Sequence, residues 1–180
     1  KKKIVPKAIW SKFKPNGCMN GAIIIVSFTP MNYYQTLPHI KALVLDIDGV
    51  LTNNQILVTD EGQFLRSMNV RDGYAIKKAI QAGLQIAIIS GGRSEGTKKR
   101  LEILGINEIH LGIEDKYTTL LAILHKWNIS ASEIAYMGDD IMDIPCMIKV
   151  GIAACPKDAV SEVVTISSYI SNFNGGEGCV

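Results

Sequence analysis

From residue 40 onward, short apolar runs alternate with longer stretches in which apolar residues recur at helical spacing. Residues 41–45, 84–89, 108–111, 134–137 and 150–153 read as strands. Between them lie helical patterns at 72–81, from about Ser94, and at 117–127, where Tyr117, Leu120, Leu121, Leu124 and Trp127 share a stripe assigned to the core. This alternation predicts an α/β fold with helices on both faces of one sheet. A shorter signal interrupts it: segments 55–59 and 63–68 flank the turn Asp60-Glu61-Gly62 and read as a hairpin.

Polar chemistry falls where the runs end. The first closes in Asp46-Ile47-Asp48-Gly49-Val50-Leu51-Thr52. Residues i and i+2 of a strand face one side, so Asp46 and Asp48 converge, and Gly49 permits the backbone to turn away. Like-charged carboxylates raise one another's pKa unless a cation holds them, and a hard cation with oxygen ligands suits the pair, Mg2+ first. The second run closes in Ser90-Gly91-Gly92-Arg93, where a hydroxyl, backbone N–H groups and the start of the next helix form a phosphate cradle. Lys116 then opens a helix, and Gly138-Asp139-Asp140-Ile141-Met142-Asp143 follows the fourth run. Lysine balances phosphate charge, and Asp139 completes a carboxylate cluster.

This ordered set resembles the haloacid dehalogenase superfamily of phosphohydrolases over residues 40–180. The resemblance implies a Rossmann-like open parallel sheet with Asp46 as nucleophile and Asp48 as the acid/base. It implies Mg2+ held by Asp46, the backbone carbonyl of Asp48, and Asp139. Ser90 and Lys116 would bind the phosphoryl oxygens, with Asp140 and Asp143 in support. A carboxylate nucleophile splits one difficult displacement into two easier steps.

About forty residues separate Asp48 from Ser90, and residues 116–139 hold one helix and one strand, so no cap domain fits. An open site of this kind predicts an oligomer. The capless pattern, with Asn69-Val70-Arg71-Asp72-Gly73-Tyr74 and the tail Gly175-Gly176-Glu177-Gly178, resembles the 3-deoxy-D-manno-octulosonate 8-phosphate phosphatases. That family implies a homotetramer whose hairpins form a central barrel, a Gly-rich tail reaching a neighbouring site, and a place in lipopolysaccharide precursor synthesis. It implies substrate contacts from Asp48, Asn69, Arg71, Asp72, Gly73, Lys77, Gly91, Arg93, Arg100 and Lys116. Arg71 and Arg100 suit a sugar carboxylate, which guanidinium binds bidentately. Two positions depart from the pattern: Gly92 stands where an Arg is usual, with Arg93 one place later, and the glycines are followed by Cys179-Val180. Relatives acting on nine-carbon sialic-type acid 9-phosphates share the scaffold, and a catalytically silent tetrameric assembly module is the non-enzymatic alternative.

Other classes fit less well. A phosphoacceptor receiver domain requires a different order of Asp and Lys, and an EF-hand fails because Val50 and Leu57 stand where carboxylates are needed. A formal charge of +2 on 180 residues argues against nucleic-acid binding, and Lys98 and Lys99 read as a solvated helix face. No Walker or dinucleotide glycine motif implies a nucleotide cofactor. Cys18, Cys146, Cys155 and Cys179 show no metal or redox pairing and read as reduced cytoplasmic thiols, Cys146 and Cys155 as core fillers. His39, His110 and His125 are isolated and enter no mechanism. Residues 1–39 read as a non-catalytic extension: 1–14 is basic, and the apolar run 22–28 is short of the roughly twenty residues a membrane span needs. It also lacks a clear signal-peptide cleavage site. Met31 is the expected functional start, and deletion of residues 1–30 is expected to leave activity unchanged.

Overall fold

The structure is a computed structural model, and it describes residues 33–180; Cys18, the apolar run 22–28 and Met31 lie outside the described residues. In chain order the described elements are α1 (Tyr33–Thr36), β1 (Ala42–Leu45), the hairpin strands β2 (Leu57–Val58) and β3 (Phe64–Leu65), α2 (Val70–Gln81), β4 (Gln85–Ser90), α3 (Glu95–Ile103), β5 (Glu108–Leu111), α4 (Lys116–Trp127), β6 (Ile134–Met137), α5 (Ile144–Met147), β7 (Ile152–Cys155), α6 (Ser161–Ile166) and β8 (Tyr169–Ile170).

Six strands form one sheet in the order β5-β4-β1-β6-β7-β8, every pair parallel. Alternate residues of the runs face opposite sides, so each strand feeds two cores. Val44, Ala87, Ile89 and Tyr136 pack with Leu120, Ile123 and Leu124 of α4 and with α5 and α6. Leu45, Ile86, Ile88 and Met137 pack on the other side with Ile76 of α2 and Leu101 of α3. The expected layering of helices on both faces is therefore present, and no cap domain intervenes among the described residues. Cys146 and Cys155 are fully buried in the first core, each as a free thiol.

Several boundaries differ from the sequence reading. The fifth run forms its strand at Ile152–Cys155 rather than 150–153; the Gly151 N–H donates to the Ala131 carbonyl, ahead of the ladder with β6. The short sixth strand β8 and helix α6 carried no periodic signal long enough to read. The hairpin ladder is confined to Leu57↔Leu65 and Val58↔Phe64, shorter than 55–59 and 63–68. Leu121, assigned to the core stripe, is exposed, and Ile123 takes the buried place.

Candidate active site

β1 sits at the point where chain connections part, with β4 on one side and β6 on the other. Open α/β sheets place ligands in the crevice beyond the strand ends at such a point. Asp46 follows β1, Ser90 ends β4, Asp139 follows β6, and Lys116 opens α4 after β5. All four are buried. Residues from 46 to 139 thus meet through topology.

The turn after β1 aims Asp46 inward. Its Oδ1 accepts from the Ile47 N–H at 2.6 Å, and its Oδ2 accepts from the Lys116 ammonium at 2.5 Å. Gly49 has φ +89°, and a side chain there would collide with the Asp139 carboxylate, so glycine lets the loop pass under Asp139. Lys116 also donates to Asp143 Oδ1 at 2.8 Å, as does the Tyr136 hydroxyl at 2.8 Å. The other Asp143 oxygen accepts the backbone N–H groups of Asp139 and Asp140. Asp143 is thereby saturated, and Asp140 caps the 3-10 turn Ile141–Asp143.

Asp46, Asp139 and Asp143 each offer a carboxylate oxygen within 4.8 Å of the others. Of the three, Asp139 alone keeps a buried oxygen, Oδ1, without a hydrogen-bond partner; its Oδ2 accepts from Asn54 Nδ2 at 2.9 Å. An all-oxygen donor set with one buried orphan oxygen fits a hard divalent cation. Electrostatics agree. Burial, with the Asp143 charge adding to it, pushes the Asp46 carboxyl up to about 6 against the opposing pull of Lys116. Burial raises Asp139 to about 7, with Asn54 opposing and Asp143 and Asp46 adding to the rise. Burial works against the Lys116 ammonium, but Asp143 and Asp46 outweigh it and raise its pKa.

Asp48, expected to converge with Asp46, does not join this carboxylate cluster. Its carboxylate is gripped by Arg66, Nε to Oδ1 at 2.6 Å and Nη2 to Oδ2 at 3.0 Å, and Oδ1 also accepts from Thr52. Arg66, Asn54 and Tyr136 lie in no recognisable motif; Arg66 and Asn54 reach the site through long-range contacts, and Tyr136 reaches Asp143 across the turn after β6.

The remaining sequence candidates divide. Asn69 caps α2, accepting from the Arg71 N–H, and its amide lies 3.4 Å from the Gly176 carbonyl. Asp72 is buried, accepts from the Val180 N–H at 3.1 Å, and keeps Oδ2 unpartnered. Burial raises its pKa. A side chain on Gly73 would press on the Arg100 guanidinium, so α2 and α3 bring these two together. Arg71, Lys77 and Gly91 are exposed. Arg93 is exposed and lies over Gly112 beyond β5. In this chain the tail packs on its own active-site loop: Gly176 N–H donates to Val50 at 2.8 Å, and the Cys179 thiol to the same carbonyl at 3.2 Å.

A profile described as haloacid dehalogenase-like hydrolase matches residues 108–180. The 3-deoxy-D-manno-octulosonate 8-phosphate phosphatase of Escherichia coli K12 is 35% identical over 142 residues, covering 79% of this chain and 76% of that protein. The crystal structure of the Yersinia pestis phosphatase of that name superposes with a TM-score of 0.81 at 32% identity, covering 83% of this chain and 80% of that one. The Moraxella catarrhalis phosphatase, solved with magnesium, phosphate and the eight-carbon acid, gives 0.80 at 34% identity, covering 83% and 87%. With identity and coverage of this extent, and with the carboxylate cluster at the ends of β1 and β6, the chain belongs to the capless 3-deoxy-D-manno-octulosonate 8-phosphate phosphatase family of haloacid dehalogenase-like hydrolases.

Proposed function

We propose that this protein hydrolyses 3-deoxy-D-manno-octulosonate 8-phosphate to the free sugar acid and phosphate, serving lipopolysaccharide precursor synthesis in the cytoplasm. The observation that carries the chemistry is the buried Asp46, held in one orientation by the Ile47 N–H and the Lys116 ammonium. The names of its relatives supply the substrate.

In this reading Asp46 attacks the phosphorus and forms an aspartyl-phosphate, while Asp48 delivers a proton to the departing sugar oxygen. Asp48 then takes a proton from the water that cleaves the acyl phosphate. Ser90 and Lys116 donate to the phosphoryl oxygens and stabilise their developing charge. Asp143, itself held by the Tyr136 hydroxyl, keeps Lys116 in place for this, and Asn54 orients Asp139. Asp46, the Asp48 carbonyl and Asp139 would hold Mg2+, which supplies charge neutralisation between anionic nucleophile and anionic substrate. The unpartnered Asp139 Oδ1 supports that assignment.

Arg100 and Asp72, with Asn69, Arg71, Gly73, Lys77, Gly91 and Arg93, form the proposed rim for the sugar acid. The hairpin supports a homotetramer: Leu57, Val58, Phe64 and Leu65 are all exposed, and a two-stranded ribbon with an apolar surface needs a partner. The three free thiols among the described residues accord with a cytoplasmic setting, and no helix among those residues is long and apolar enough to cross a membrane. Residues 1–39 form a non-catalytic extension in this proposal.

The test is phosphate release from the eight-carbon acid 8-phosphate, its nine-carbon 9-phosphate counterpart and an aryl phosphate, each with Mg2+ and with EDTA. Preference for the eight-carbon substrate is expected. Preference for the nine-carbon acid would keep the mechanism and move the substrate, and absence of turnover on all three would leave an assembly role.

A further inference from the structure

Arg66 is the residue of this site that the hydrolytic scheme above does not use. It stands just past β3, on a hairpin whose neighbouring side chains are apolar and exposed, yet its own side chain is only 7% exposed. Burying a guanidinium is expensive unless every N–H is satisfied. Asp48 engages Nε and Nη2, but Nη1 is buried with no partner. Arg66 also borders a small recess with Asp48, Ser90, Gly92 and Thr97, beside the start of α3.

The recess exists because residue 92 is glycine. A Cβ there would lie 2.9 Å from Asp48 Oδ2, 3.2 Å from Arg66 Nη2 and 3.7 Å from Ser90 Oγ. Arg66 thus reaches, from the hairpin, a place that a side chain on the loop after β4 would otherwise fill. Arg93 does not serve it, lying over Gly112. A guanidinium carries five N–H donors in a fixed fork. Two of them hold Asp48, and the Nη1 pair remains for an oxyanion beside Ser90.

Resting on the phosphatase reading, we infer that Arg66 is a substrate-anchoring residue, whose Nη1 donates to a phosphoryl oxygen while Nε and Nη2 keep Asp48 aligned with the leaving group. The hairpin then has two tasks, assembly through its apolar side chains and anion binding through Arg66. An arginine that only neutralised Asp48 would affect phosphate affinity through the bare carboxylate its removal leaves, and that effect would vanish in an Asp48→Asn background; direct anchoring would persist there, and this separates the two roles.

The experiment measures inorganic phosphate binding by calorimetry in the presence of Mg2+, on the full chain and on Arg66→Met and Arg66→Lys, and on Asp48→Asn with and without Arg66→Met, with circular dichroism to confirm folding. Arg66→Met is expected to weaken phosphate binding about ten- to a hundredfold, the range for losing a charge-assisted hydrogen bond, and Arg66→Lys to recover part of the loss. In turnover of an aryl phosphate, KM is expected to rise in Arg66→Met and kcat to fall as well. Unchanged phosphate affinity in folded Arg66→Met, or a loss that disappears in the Asp48→Asn background, would overturn the anchoring role. Calorimetry does not depend on turnover. A wild-type protein that binds phosphate through Arg66 but hydrolyses nothing would sink the proposed function and leave this inference standing.

Discussion

Lys116 and Asp143 are paired at 2.8 Å with neither side chain appreciably reaching solvent, and the same ammonium holds Asp46. Asp143 is therefore the anchor from which the Asp46 side chain is positioned. Removing one member of a buried pair leaves the other charged and desolvated, at a cost of about 3–5 kcal/mol. Lys116→Met is expected to lose activity and to unfold at markedly lower urea, because Asp46 and Asp143 would then face one another uncompensated. Equilibrium denaturation beside phosphate release checks both; an unaltered urea midpoint would show that the pair contributes little to stability.

Asp46→Asn separates chemistry from folding. The amide keeps the size of the side chain but cannot attack phosphorus, so turnover should vanish while the circular dichroism spectrum is retained. Near-normal turnover would remove Asp46 from the nucleophile's role. Asp48→Asn is expected to lose about 100-fold to 10,000-fold, the usual contribution of a general acid/base, and most with poor leaving groups. A series of aryl phosphates of rising leaving-group pKa reads that dependence directly.

The metal-free protein should lose stability as pH rises from about 4 to about 7. Asp139 titrates near 7 when folded and in the ordinary carboxylate range when unfolded, so across this window the native state holds a proton that the unfolded chain has released. Asp46, near 6, acts in the same direction. Lys116 acts at the other end: its raised pKa adds stability that is fully present below its ordinary 10.5 and is lost as pH climbs through the folded value. Thermal unfolding in EDTA at pH 5 and pH 8 checks the first claim. Mg2+ should raise the melting temperature more at pH 8 than at pH 5, since it competes with protons for the same oxygens. A cation effect independent of pH would contradict the assigned ligands.

The hairpin offers a test of assembly that leaves the active-site side chains alone. Leu57 and Phe64 are 67% and 59% exposed on opposing strands. Leu57→Asp with Phe64→Glu should convert a tetramer into smaller species, read by sedimentation velocity at one protein concentration. A wild-type chain that sediments as a monomer would remove the barrel from the proposal.

The layered α/β architecture is legible in the chain alone, because runs that face two cores must be apolar on both sides. The chain alone also locates Asp46, Asp48, Ser90, Lys116 and Asp139, because each ends or follows such a run, and strand ends in a parallel sheet point to one rim. Tertiary structure decided the partners. Arg66 grips Asp48, Asn54 orients Asp139, and Tyr136 binds Asp143. In sequence these are an arginine in a hairpin, an asparagine in a loop and a tyrosine in an apolar run, and none departs from its local pattern. Their roles arise from burial: once the carboxylates are withdrawn from water, each of their oxygens must find a donor or a cation, and only the folded chain determines which side chain arrives.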